Sequence, residues 1–232
     1  MQVIRNLFTH AARAGNWEKP NPTIDAATGR GIRKYNVASR ERHLTTAEAS
    51  RVLAYAATEP QPWRDFWTLL ILTGVRSSTL REMKWAHLDL RSESTWAVPT
   101  SKNGDPQLVP LTDTAANILR ERLAAAPKHK GKPASVYVFP MRDDPQRCIA
   151  DLDHAWARVK ENAPLDGVRI HDLRRTAGSW ATQGGAPLPA VGKMLGHRSH
   201  NSTAVYARAD IGAARAAAAI VEARLKEAGE RT

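Results

Sequence analysis

His171, Asp172, Leu173 and Arg174 put an imidazole and a guanidinium three positions apart, so on a helix the two share a face and can grip one anion. Twenty-three residues beyond Arg174 stands Leu195-Gly196-His197, and nine beyond His197 comes Tyr206. Arg76 and Lys102 precede them. The set comprises five candidate anion-handling groups and one phenol. Each has an ordinary role when taken singly. Arg76 can cap the carbonyls of a preceding helix, Lys102 can be a solvated turn residue, and His171 can be a hydrogen-bonded core histidine. Arg175 competes with Arg174 for the anion, and the spacing from His171 favours Arg174.

Charge points the same way. The 232 residues carry 34 Lys and Arg against 23 Asp and Glu, a net +11. Such a field concentrates polyanions, and nucleic acid is the usual beneficiary; a basic protein that is merely soluble is the alternative. The apolar share of 42% excludes a disordered or collagen-like chain. Phe66 to Val75, the longest uncharged apolar run, has ten residues, about half a bilayer span. No membrane association and no secretory leader before Asn6 are expected. The single Cys148 allows no internal disulfide, which fits a reducing cytoplasm. His197 and His200 are three apart but lack a third well-spaced ligand, so no metal is expected.

The elements that must position these groups are legible in outline. Val3, Ile4, Leu7, Phe8, Ala11 and Ala12 recur at helical spacing, predicting an amphipathic helix over 1–14 that ends at Gly15. Pro20, Pro22, Gly29 and Gly31 then mark a linker. Residues 1–42 hold eight Lys or Arg against three acids, and Arg33, Lys34, Arg40 and Arg42 are its candidate contacts to a phosphate backbone. A solvated tether is the other reading.

Thr45-Thr46-Ala47-Glu48 is a capping box opening a helix to about Thr58, stopped by Glu59 and Pro60. Trp63 to Thr73 predicts a buried helix with Gly74 as its left-handed terminus, which delivers Arg76. Trp96 to Thr100 and Gln107 to Leu111 flank Asn103-Gly104, a β-hairpin with Lys102 at its turn. A helix over Thr112 to Ala126, a basic loop from Pro127 to Pro133 and a short strand over Val136 to Phe139 follow. Further helices are expected at Ile149 to Lys160, Leu173 to Gln183, Leu188 to Leu195 and Ile211 to Ala228, the last ending at Gly229. Trp85, Trp156 and Trp180 read as core, and Asp151 and Asp153, two apart, diverge on a helix rather than forming a metal pair.

The ordered set Thr73-Gly74-Val75-Arg76, Lys102-Asn103-Gly104, His171-Asp172-Leu173-Arg174, Leu195-Gly196-His197 and Tyr206 resembles the tyrosine recombinase (phage integrase) family, most closely integrases of prophages and genomic islands. The resemblance covers roughly Arg42 to Ala228. It implies an α+β, mostly α fold: a helical tyrosine-recombinase catalytic domain with a small antiparallel β-sheet. On that pattern 43–232 is the catalytic domain, 15–42 a basic linker, and 1–14 the last helix of an N-terminal core-binding domain. Where the family carries glutamate three residues beyond the arginine, this chain has Thr79, with Glu82 one turn later.

The resemblance implies site-specific DNA recombination through a 3′-phosphotyrosine intermediate. Tyr206 attacks, His171 assists as base or positioner, His197 donates to a nonbridging oxygen and Lys102 protonates the departing 5′ oxygen. No cofactor is implied, since the phosphotyrosine conserves the bond energy, and no G-x-x-x-x-G-K loop occurs. The implied partners are double-stranded DNA attachment sites, further copies forming a tetramer on DNA, and an accessory DNA-bending or directionality factor, at the bacterial nucleoid. The C-terminal helix is expected on a neighbouring protomer by resemblance, or in cis. A truncated DNA-binding remnant and a type IB topoisomerase-like relaxer are the competing readings, with a metal-dependent nuclease behind them.

Overall fold

The computed structural model describes residues 2–24, 42–99, 106–196 and 207–230. They fall into two units, the first within Met1–Arg40 and the second within Glu41–Thr232. In the first, helix α1 (Gln2–Arg13) closes through Gly15 at φ +73°. The chain returns along it, with the Phe8 ring edge-on to Trp17 at 4.8 Å. The Asn21 amide donates to the Arg5 carbonyl and to Thr9 Oγ1. Val3, Ile4 and Leu7 on the same helix remain exposed.

The second unit is built around one buried apolar helix. Helix α2 (Thr46–Thr58) opens on the Thr45 and Glu48 capping box, with both reciprocal hydrogen bonds formed. Helix α3 (Trp63–Thr73) buries Phe66, Trp67 and the whole run Leu69 to Thr73, each large side chain contributing about 1.5–3 kcal/mol by leaving water. It stops at Gly74, φ +61°, whose N–H reaches the Leu70 carbonyl. A short helix α4 (Ser77–Arg81) follows, with Arg76 as its extended N-cap residue. After a 3-10 turn at Trp85–His87 come strands β1 (Leu88–Asp89), β2 (Thr95–Val98) and β3 (Gln107–Pro110), which form an antiparallel sheet in chain order. The hairpin register sets Trp96 opposite Val109 and Val98 opposite Gln107.

Helix α5 (Asp113–Ala125) is capped by the Thr112 hydroxyl. The expected basic loop is itself a small hairpin, β4 (Lys128–His129) against β5 (Lys132–Pro133), turned through Lys130 and Gly131 at positive φ. The expected strand over Val136 to Phe139 is not a strand. Only isolated bridges form, Lys84 to Tyr137 and Pro140 to Cys148, because Val138 and Phe139 face the core while Val136 is turned outward.

Helices α6 (Leu152–Asn162), α7 (Ile170–Gln183), α8 (Leu188–Leu195) and α9 (Ala207–Glu230) complete the unit. Trp156 and Trp180 are buried as expected, whereas Trp85 is only partly so. Helix α9 runs through Gly229 rather than ending there. It packs in cis: Ala214, Ala217, Ala218, Val221, Leu225 and Ala228 join the core of their own chain. No described helix is long and apolar enough to cross a membrane.

Candidate active site

The end of α3 and the start of α7 build the site. A Cβ on Gly74 would lie 2.7 Å from Leu195 Cδ2 and 3.0 Å from Ala177 Cβ, so only glycine permits both the left-handed turn and this close packing. The Gly74 carbonyl accepts a 2.8 Å hydrogen bond from Arg174 Nη1. Two residues on, Arg76 donates nothing to another described residue; its carbonyl instead accepts from the Thr79 and Leu80 amides that open α4. Arg76 is exposed and Arg174 is 6% exposed, so the pair offers one guanidinium from the surface and one from within.

Because Arg174 is anchored two residues before Arg76, the two cations act on each other. Burial, and then the Arg76 charge, push Arg174 down from the ordinary guanidinium range to about 10. No described carboxylate forms an ion pair with either residue. Glu82, the nearest acid to the position where the family carries glutamate, lies 3.5 Å from Arg81 instead. His171 stands on the first turn of α7, one helical turn before Arg174. Partial loss of water, Arg175, Arg174 and Arg76 hold its imidazole below the usual histidine range, against an opposing pull from Asp172. Arg76, His171 and Arg174 thus act on one another electrostatically, an arrangement whose planar donors can take up an anion and spread its charge.

Arg175, the competitor for the clamp, is committed elsewhere: its Nη1 donates to Asp172 Oδ1 at 2.7 Å. Asp172 is wholly buried, and its Oδ2 accepts the Arg169 backbone N–H. Sequence reasoning missed this pair, although aspartate at the third position of a helix is an available signal for a cap. Of the other expected residues, Lys102, His197 and Tyr206 lie outside the described residues, as do Arg33, Lys34 and Arg40. Arg42 is described, and its guanidinium pairs with Glu48 and with the His43 carbonyl.

The described residues next to these segments pack on each other. Helix α8 ends at Gly196, φ +69°, with Leu195 packed against Gly74 and Gly178. Gln107, at the head of β3, lays its amide over Gly196 and donates weakly to the Lys193 and Met194 carbonyls. Beside His171 an open groove of about 670 Å³ is lined by Ser77, Ser78, Arg81, Lys160, Arg169 and the acids Asp151 and Asp153.

A family model, the phage integrase family, matches residues 42–212, which contain Arg76, Lys102, His171, Arg174, His197 and Tyr206. The chain belongs to the phage integrase family. Among the chain's relatives is the integrase of Salmonella phage P22, 27% identical over 180 aligned positions, with 72% of this chain and 44% of that protein covered. A tyrosine recombinase XerC from Rhodospirillum centenum is 27% identical over 213 residues, 89% of this chain and 60% of its own. The chain thus spans roughly half the length of these two relatives. A lambda integrase tetramer bound to a Holliday junction has the same fold, with TM-score 0.60 and 19% identity over 86% of this chain and 55% of that one.

Proposed function

We propose that this integrase domain breaks and rejoins DNA strands in site-specific recombination, integrating or excising a prophage or genomic island. The observation that carries the reading is the pair of guanidinium groups, Arg76 and Arg174, held beside His171 with no described carboxylate bonded to them. A phosphodiester undergoing in-line displacement gathers negative charge on two nonbridging oxygens, and donors already aimed there lower the barrier by several kcal/mol.

An ordinary phenol has a pKa of about 10 and is a poor nucleophile at neutral pH. His171, held below its usual range, is suited to receive a proton. The Tyr206 oxygen bonds to phosphorus as the bond to the 5′ oxygen breaks. The phenolic proton passes to His171, and Lys102 gives a proton to the departing oxygen, a general-acid role worth about 10² to 10⁴ in rate. His197 donates to a nonbridging oxygen. Rejoining is the same step reversed, with the 5′ hydroxyl of another strand attacking the adduct.

The partner is double-stranded DNA at attachment sites, and the working assembly is a tetramer aided by a DNA-bending or directionality factor. Its place of action is the nucleoid, in the bacterial cytoplasm. Arg33, Lys34 and Arg40 supply phosphate contacts from a basic linker over 15–42. Arg42 is a weaker contributor, because Glu48 already holds it. The domain proper runs over 43–232, and α1, with Val3, Ile4 and Leu7 exposed, is the closing helix of an N-terminal domain that clasps DNA.

The test is an adduct assay on a nicked suicide duplex in the absence of magnesium. An SDS-resistant protein–DNA species from wild type, lost in Tyr206→Phe, is expected. DNA binding without any adduct would instead identify a binding remnant.

A further inference from the structure

Helix α7 carries two arginines after His171, and the structure gives them different work. Arg174, at i+3, is buried against Gly74. Arg175, at i+4, is one-third exposed at its side chain and is held by Asp172. Asp172 is adjacent to His171 in sequence and entirely buried, so it is a full negative charge in a weakly screened place. Left alone, that carboxylate would draw the His171 imidazole toward its protonated form. An imidazolium cannot accept a proton from a phenol.

We propose that Arg175 is a positioning residue for the reaction: anchored on Asp172, it cancels the buried carboxylate and keeps His171 unprotonated and ready to take the tyrosine proton. The inference rests on the reading of His171 as proton acceptor. The anchoring is specific. One Asp172 oxygen accepts the Arg169 backbone N–H at 2.8 Å, and the other accepts from Arg175 Nη1 at 2.7 Å. Other described charges around His171 are Arg76 before α4, Arg81 on it, Lys160 on α6, Arg169 before α7, and Asp151 and Asp153 at the start of α6, which line the same groove. Asp172 is the carboxylate that opposes the neutral imidazole; Arg175 is ion-paired to it and also acts on the imidazole directly, as the strongest of the neighbouring charges, and Arg42 acts on Asp172 as well. The positive end of the α7 dipole acts in the same direction as Arg175, because His171 lies in the first turn.

The test reads the imidazole directly. The full chain is labelled with 13C and 15N histidine, His171 is assigned by its loss in His171→Gln, and its titration is followed by NMR. In wild type the midpoint lies below the ordinary histidine value of about 6.5. Arg175→Gln raises it by about one pH unit, whereas Arg175→Lys, which keeps the charge, leaves it near wild type.

Asp172→Asn lowers the midpoint, and adding Arg175→Gln to it brings the midpoint back up. This second comparison contains no unpaired buried charge, and it decides the matter if Arg175→Gln alone does not fold. In the adduct assay the acidic limb of the pH–rate profile of Arg175→Gln moves up with the NMR midpoint. An unchanged His171 midpoint in both Arg175→Gln backgrounds, or an Arg175→Lys that behaves like Arg175→Gln, overturns the proposal. If wild type makes no adduct, the recombinase reading fails, while the NMR comparison still shows whether Arg175 sets the His171 midpoint.

Discussion

Arg174 donates to the carbonyl oxygen of Gly74 across a 2.8 Å hydrogen bond spanning 100 residues of chain. That bond fixes the head of the buried guanidinium at the end of α3, two residues before Arg76, so one backbone carbonyl registers both halves of the clamp. The acceptor is neutral, and so the cation keeps its attraction for a phosphate. A carboxylate in the same place would have spent it.

Arg174→Lys keeps a positive charge but loses the planar fork. Adduct formation on the suicide duplex is expected to slow by about 10² to 10³, as when one preorganised donor is removed from a transition state. DNA affinity, measured by fluorescence anisotropy, changes far less, because a single phosphate contact is a small part of the total.

Gly74→Ala combines a left-handed φ with a Cβ 2.7 Å from Leu195. The expected cost is about 2 to 4 kcal/mol in urea unfolding, from backbone strain plus overpacking. In the folded fraction the adduct rate also falls, because the carbonyl that anchors Arg174 moves with the turn.

Gly184 tests the seating of α9. A Cβ there would come within 2.2 Å of Ile220 Cγ2, although the Gly184 backbone itself is unstrained at φ −80°. Gly184→Ala is expected to destabilise by about 1 to 3 kcal/mol, and Ile220→Ala in the same chain to recover part of that loss. A helix seated on another protomer would make the recovery depend on protein concentration; packing in cis makes it independent, as unfolding at two concentrations reads out.

Much of this architecture is written locally. The Thr45 and Glu48 box, the Gly74 stop and the Leu188 to Leu195 helix follow from residues within one turn of each other, and each forms as the spacing requires. Helix α4 is too short at five residues to show a period. Val136 to Phe139 has the β-branched and aromatic residues of a strand yet finds no ladder, since pairing depends on a partner from elsewhere and only Lys84 supplies one, as a single bridge to Tyr137. His171 and Arg174 could be placed on one face because a helix fixes that spacing. That Arg174 goes inward to Gly74, and Arg175 sideways to Asp172, depends on burial that no local pattern encodes.

Glu59 gives stability a pH dependence. Its carboxylate, 3% exposed at the side chain, accepts from Arg158 twice and from the Tyr55 hydroxyl, and the Arg158 bonds first of all hold it below the usual carboxylate range. A depressed folded value means that this stabilisation is full above the ordinary carboxylate pKa of 4.5 and is lost as pH falls through the lower, folded value. Glu59→Gln is expected to cost about 1 to 3 kcal/mol at neutral pH and to flatten this part of the acid unfolding curve, followed by circular dichroism.

The most direct measurement is the identity of the residue joined to DNA. Wild-type protein trapped on the suicide duplex is digested with nuclease and protease, and the peptide carrying the 3′-phosphoryl nucleotide is sequenced by mass spectrometry. The expected attachment is the phenolic oxygen of Tyr206. Attachment at any other residue, or cleavage that leaves no nucleotide on the protein, contradicts strand exchange through this tyrosine.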